Sequence, residues 1–306
     1  MTESVSHAVD SFLSVVGLVA RPATVSYYAQ CLRPLRSLDK PIADVALDDL
    51  RAIYARLRNR DSRYTLHPSR PALPGGLSVY TLHKHIRAWK RFFRWLVEEG
   101  MLTRDPSLKL KRPRLPDEPP KDISPDDLRR ILEAARDNPR DYAIVCFLAD
   151  TACRVGGLIG LRRNDLDLDN GIALMREKGD RARMVYFTTR TMQALTVYLA
   201  AQPTDGDTYI FRGRRGALTT AGVYQMLRRL ARRAGVRGRS NPHAFRHAWA
   251  RQALKRGANL KEVSDLLGHA GITVTAQFYA RYLDRELQAR HGEVSWLPPE
   301  VEEQRM

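Results

Sequence analysis

Apolar residues recur at helical spacing through the first hundred positions, over about 6–19, 22–37, 47–59 and 78–99, and predict four helices. Asp48 and Ser78 stand where N-caps are expected. The last segment has the clearest pattern. Leu82, Ile86, Trp89, Phe93 and Leu96 share one face of a 3.6-residue period, while Lys84, Arg87, Arg91 and Arg94 share the opposite face. One side packs into a core and the other offers a row of cations. The periodicity stops at Gly100. Between 103 and 120 stand Pro106, Pro113, Pro116, Pro119 and Pro120, interleaved with Lys109, Lys111, Arg112 and Arg114. Proline at that density forbids regular structure, so this stretch reads as a semi-rigid basic linker between a domain at 1–102 and another at 121–306.

The second domain opens on Ser124-Pro-Asp-Asp127, a helix start with an N-cap serine, proline at N1 and an acid at N3. Helices are predicted at about 124–136, 141–150, 189–201, 219–234, 242–256, 259–267 and 273–289. Alternation at 172–176 and 183–187 predicts a β-hairpin turning around Gly179-Asp180. The fold class is therefore mainly α in two domains, the second an α+β unit with a small hairpin sheet.

Charge narrows the partner. The 306 residues carry 51 Lys+Arg against 34 Asp+Glu, a net charge of +17, which calls for a polyanion such as nucleic acid. Nine arginines and no acid fall between Arg212 and Arg239, a second candidate DNA surface centred on Arg228 and Arg232. If about eight phosphates are contacted, affinity falls with salt at a log–log slope of roughly −7. Cys31, Cys146 and Cys153 show no CxxC spacing and no disulfide framework, and the start of the chain lacks the basic region of a secretory signal. A cytoplasmic protein without a membrane span is expected.

Chemistry concentrates near the end. Pro242-His-Ala-Phe-Arg-His247, Leu267-Gly-His269 and Phe278-Tyr-Ala-Arg281 bring Arg246, three histidines and a tyrosine into 40 residues. Cleaving a phosphodiester with side chains alone needs a nucleophile, cations for the pentacoordinate transition state and an acid for the leaving oxygen. Tyrosine suits the first role and guanidinium the second, through bidentate hydrogen bonds. His243 and His247, at i and i+4, have zinc-site spacing. Position 244 is Ala rather than the Glu of a metalloprotease, no cysteine is near, and the arginines repel a cation. Neither a metal nor a cofactor is expected, and no P-loop occurs.

These segments resemble the tyrosine recombinases, the family of phage integrases and Xer-type proteins. Thr151-Ala-Cys-Arg154 is similar to its arginine segment, Glu177-Lys178-Gly179 to its hairpin lysine turn, His243-Ala-Phe-Arg246 to its H-x-x-R, and Leu267-Gly-His269 to its LGH; Thr275-Ala-Gln-Phe-Tyr279 matches the nucleophile segment. The resemblance implies a four-helix, SAM-like core-DNA-binding domain, then the linker and a catalytic domain. Arg154 and Arg246 would clamp the scissile phosphate, Lys178 would protonate the 5′ oxygen, and His243 would take the tyrosine proton. His269 would bond the phosphate, and Tyr279 would form a 3′-phosphotyrosyl link leading to a Holliday junction. Lys84, Arg87, Arg91, Arg94, Lys111, Arg112, Arg228 and Arg232 are the candidate DNA contacts. A homotetramer on two duplexes is implied, with 284–306 reaching the neighbouring protomer. No arm-site domain is expected before residue 1, so the substrate would be double-stranded DNA with a short core site.

Two departures stand out. Gly157 replaces a Glu frequent in the family, and Ala152 a usual Gly. Tyr282, one turn after Tyr279, reads as packing. The competing readings are a non-catalytic DNA-binding protein of the same fold, which the missing Glu would suit, and a type IB topoisomerase-like enzyme.

Overall fold

The computed structural model describes residues 3–63, 71–116, 122–176, 182–202, 208–213, 216–268, 271, 273 and 276. The chain divides into two compact units, Met1–Asp117 and Glu118–Met306. No helix among the described residues is long and apolar enough to cross a membrane.

The first unit holds α1 (Val5–Val19), α2 (Pro22–Leu32), α3 (Leu47–Arg58) and α4 (Val79–Glu98). The helical pattern over 22–37 breaks after Leu32 into a 3-10 turn, Arg33–Ser37. Pro34 is the cause: it lacks an N–H, and its ring collides with the carbonyl one turn back. Ser78 caps α4 by accepting from the Thr81 N–H at 3.2 Å. At α3 the expectation for Asp48 is corrected. Ala46 occupies the N-cap position, and it is Asp49 that accepts the Ala46 N–H at 2.8 Å.

All five residues of the predicted apolar face of α4 are buried, and Lys84, Arg87, Arg91 and Arg94 are exposed. The buried stripe is wider than the pattern indicates, because His85, Phe92 and Trp95 are buried too. His85 Nδ1 and Trp89 Nε1 both lie 2.9 Å from the Cys31 carbonyl, which satisfies two polar rings inside the core. Leu102, just before the proline-rich stretch, and Leu110, within it, join this core, and Lys90 Nζ donates to the Leu108 carbonyl at 2.9 Å. Two short strands, β1 (Ser62–Arg63) and β2 (Leu73–Pro74), pair antiparallel beside the helices.

The second unit begins with α5 (Pro125–Ala135), α6 (Pro139–Thr151) and α7 (Val155–Gly160). Strands β3 (Leu166–Asp167), β4 (Ile172–Arg176) and β5 (Ala182–Tyr186) form one antiparallel sheet in that order, with Arg176 opposite Ala182 and Ile172 opposite Tyr186. There follow α8 (Thr189–Ala200), the pair β6 (Arg212–Gly213) and β7 (Gly216–Ala217), α9 (Thr220–Arg233), α10 (Pro242–Lys255) and α11 (Leu260–Leu267). The predicted helix at 273–289 lies outside the described residues except for Thr273 and Ala276.

Helix α6 is apolar on all sides from Ala143 to Leu148 and runs through the main core, where a surrounded helix belongs. Its one buried carboxylate, Asp141, is held by Arg140 at 2.7 Å and Arg229 at 2.6 Å, as a buried charge must be. A separate small cluster of Ala152, Ala250, Leu254, Val263 and Leu267 pins α10 and α11 to the end of α6. Cys31, Cys146 and Cys153 are all buried free thiols. Burial pushes the Cys153 thiol up to about 11, so it is inert at neutral pH.

Candidate active site

The site is built where α6 ends. Thr151 Oγ1 donates to the Phe147 carbonyl at 2.7 Å and accepts the Cys153 N–H at 3.3 Å, closing the turn. Ala152 then takes a left-handed conformation with φ 50°, the only non-glycine among the described residues to do so. A Cβ makes that conformation cost about 1 kcal/mol. The turn aims the Ala152 carbonyl at α10 and leaves Arg154 as the N-cap of α7.

Arg246 receives that carbonyl. It is 6% exposed, with Nη1 donating to Ala152 at 2.9 Å and Nη2 to the Leu267 carbonyl at 2.5 Å. Arg154 Nη2 donates to the next carbonyl, Gly268, at 3.2 Å. The preceding carbonyl, Leu266, accepts from Arg183 Nη1 at 2.7 Å. Three guanidiniums thus hold three consecutive carbonyls at the C-terminus of α11. Helix-end carbonyls lack intrahelical donors and carry the negative end of the dipole, so cations are favoured there. Burial, and then the proximity of Arg183, depress the Arg154 pKa from its ordinary value. Gly268 is required twice over: its φ is 64°, and a Cβ there would come within 2.6 Å of Arg183 Cδ and Nε.

His243 lies in the first turn of α10, where Asn241 caps the helix by accepting the Ala244 N–H at 3.0 Å. Partial burial, then Arg246 and Arg154, hold its imidazole below the usual histidine range. It is neutral at pH 7 and able to accept a proton. His247, one turn on, is pushed down to about 4 by burial, His243 and Arg246.

Of the six predicted catalytic residues, Arg154, His243 and Arg246 are described, and the two arginines converge on one turn. Lys178 falls between the paired residues Arg176 and Ala182, and His269 directly follows Gly268; both, with Tyr279 and Tyr282, lie outside the described residues. Gly157 has a structural reason. A Cβ on it would sit 2.8 Å from Met175 Cε, and Met175 is 1% exposed, so a side chain at 157 would have to displace that buried methionine where α7 packs against β4.

Arg183 was not among the predicted site residues. The signal was available in the strand alternation. Arg183 is in phase with Val185 and Phe187, which are buried, whereas Ala182, Met184 and Tyr186 are exposed. A cation on the core side of a strand needs a partner.

The eight predicted DNA contacts are all exposed. In the first unit, Arg91 pairs with Glu98 at 2.9 Å and Arg87 stacks over Tyr27 at 5.7 Å from the ring centre. Lys111 and Arg112 line an open hollow of about 740 Å³ together with Arg51, Lys90 and Lys109. In the second unit, Arg229 and Arg233 are tied to Asp141 and Asp137, while no ion pair among the described residues involves Arg228 or Arg232.

Known proteins share the sequence and the fold. The model of the phage integrase family matches residues 121–286. A tyrosine recombinase XerC of Neisseria meningitidis is 30% identical over 267 residues, covering 84% of this chain and 85% of that protein. The crystal structure of XerA recombinase is 27% identical, with a TM-score of 0.54 over 96% of this chain and 100% of the other. The Tn1549 transposon integrase in complex with transposon right end DNA is 21% identical, with a TM-score of 0.74 over 95% and 99%, a likeness of fold.

Proposed function

The chain belongs to the phage integrase family, and from that membership we propose how its site works. It is a site-specific tyrosine recombinase, an enzyme that cuts DNA and rejoins it. The observation that carries the assignment of residues is the convergence of Arg154 and Arg246 on successive carbonyls of the turn leading into His269. A guanidinium carries its N–H donors in a rigid planar fork, so its bonds to backbone carbonyls fix the plane it presents to a phosphate.

In this reading Tyr279 Oη attacks phosphorus, its proton passing to His243. A 3′-phosphotyrosyl bond forms as the bond to the 5′ oxygen breaks, and Lys178 protonates that leaving oxygen. Arg154, Arg246 and His269 hold the non-bridging oxygens as charge develops. Religation runs the same steps in reverse with a 5′ hydroxyl from the other duplex. The partner is double-stranded DNA. We further propose a homotetramer on two duplexes joined through a Holliday junction, with 284–306 contacting the neighbouring protomer. The row Lys84, Arg87, Arg91, Arg94, with Lys111, Arg112, Arg228 and Arg232, would follow the phosphate backbone.

A nicked suicide substrate tests the chemistry, because loss of the short 5′ strand traps the covalent complex. Wild type should give an SDS-resistant adduct, Tyr279→Phe none, and Tyr282→Phe a normal yield. An adduct with Tyr279→Phe would remove Tyr279 from its role.

A further inference from the structure

We propose that Arg183 is a positioning residue for strand cleavage, the tie that sets the hairpin carrying Lys178 against the turn that leads into His269; this rests on the catalytic reading above. The hydrogen bond from Arg183 Nη1 to the Leu266 carbonyl, at 2.7 Å, joins β5 directly to the end of α11. Its aliphatic stem lies against Gly268, where no side chain could fit. One side chain therefore fixes both the height of the 266–268 turn and the path of β5. From β5 the chain leads back, through the hairpin, to Lys178; from the turn it leads forward to His269. In the catalytic reading these two groups must meet the same phosphate from different elements.

Charge supports the assignment. Arg183 is the third cation around one turn, beside Arg154 and Arg246, and it stands on the core-facing side of its strand. Three guanidiniums at one point repel each other and are costly to desolvate. A methionine or leucine would pack on β5 at no such cost. The three carbonyls offset part of the repulsion, and an anionic phosphate bound there would offset more. The arrangement is what a binding site for a phosphodiester needs, and the hydrogen bond from Arg183 gives it rigidity.

The test is formation of the covalent complex by the full chain, one turnover per active site, with the nicked substrate saturating and in excess over protein. Endpoint amplitude counts folded protein, so misfolding lowers the amplitude and a positioning defect lowers the rate constant. Arg183→Met should slow cleavage by roughly 50-fold, the scale of an ångström-level misplacement, while the DNA dissociation constant stays within about threefold. Arg183→Lys, which keeps the charge and one donor, should recover roughly tenfold of that loss. A second substrate carries sulfur in place of the 5′ leaving oxygen. A thiolate leaves without protonation, so a defect in the placement of Lys178 shrinks on it, as it must for Lys178→Ala. Arg183→Met should recover at least roughly fivefold on the sulfur substrate. Wild-type cleavage by Arg183→Met, or a loss equal on oxygen and sulfur, overturns the proposal while leaving the catalytic reading intact. If wild type forms no adduct, the catalytic reading fails and the role of Arg183 falls with it.

Discussion

Adjacent glycines in α7 provide a controlled measurement of how tightly the site is packed. Gly156 is exposed, and a Cβ built on it meets nothing within 4 Å. Gly157 is buried, and its Cβ would stand 2.8 Å from Met175 Cε. Both lie in one six-residue helix, so both gain about 1 kcal/mol of helix propensity on substitution by alanine. For Gly156→Ala that gain is the whole effect. For Gly157→Ala the methyl must displace a methionine that is 1% exposed inside the main core. Overpacking of this kind costs about 1–3 kcal/mol, so the net change is a destabilisation of about 1 kcal/mol. The two variants should differ by about 2 kcal/mol, or roughly 4–8 °C in melting temperature for a unit of this size. Urea and thermal unfolding followed by circular dichroism measure it. Equal stabilisation by both substitutions would refute the steric argument, since it would mean Met175 moves aside freely. Gly157→Ala combined with Met175→Leu, which removes the ε methyl, should regain most of the loss. For the same reason Gly157→Glu, although it restores a residue frequent in the family, is expected to slow covalent trapping: its Cβ meets the same methyl, three residues before Lys178.

Arg246→Ala should cost about 3 kcal/mol in urea unfolding, because the carbonyls of Ala152 and Leu267 both lose a buried donor, whereas Arg154→Ala, which removes a 3.2 Å bond to the Gly268 carbonyl from a partly buried position, should cost about 1 kcal/mol; equal losses would show that the double anchorage of Arg246 is not structural. His247 is neutral in the fold with its pKa near 4, below the unfolded value of about 6.5. The unfolded chain therefore binds the proton first, so the contribution of His247 is complete above about pH 6.5 and is lost as pH falls toward 4, by about 2 kcal/mol after allowing for solvent screening. In His247→Gln that part of the pH dependence should vanish, and an unchanged slope would contradict the assignment. Asp141→Asn should destabilise by about 3 kcal/mol, since Arg140 and Arg229 lose the carboxylate they share; a melting temperature within a degree of wild type would refute a structural role for the trio.

Much of the fold was legible because it rests on repetition. The face of α4 follows from apolar residues at 3.6-residue spacing, and α5 from a serine cap with proline at N1. The hairpin follows from alternation, with strands at 172–176 and 182–186. Features decided by a distant neighbour were less so. The strand pairs at 62–63 with 73–74 and at 212–213 with 216–217 are two residues long, too short for any periodicity to announce. Gly157 reads as a missing carboxylate in the sequence, whereas the fold shows a close approach to Met175, eighteen residues away. Alanine itself gives no hint of left-handed backbone, which is the habit of Gly and Asn; the hint at 152 lies in the Gly usual there in the family.

The arginines divide the same way, and the division has a physical origin. Arg154 and Arg246 were readable because they stand in segments whose neighbours are themselves distinctive, ending with His243 and His269. Arg183 was not, because what holds it is backbone. A guanidinium that pairs with a carboxylate leaves two marks in a sequence, one at each end of the bond. One that holds a carbonyl leaves a single mark, since every residue has a carbonyl. Here all three arginines are tied to carbonyls of Leu266, Leu267 and Gly268. The partner end of each bond is therefore silent, except at Gly268, where the close approach of Arg183 excludes any side chain. What remained visible was phase: Arg183 alternates with Val185 and Phe187, and a cation on the buried side of a strand implies an acceptor before the acceptor can be named. In the proposed catalytic reading the motif lists the groups that meet the phosphate, and the fold supplies the helix end that holds two of them, Arg154 and Arg246, with Arg183 beside them.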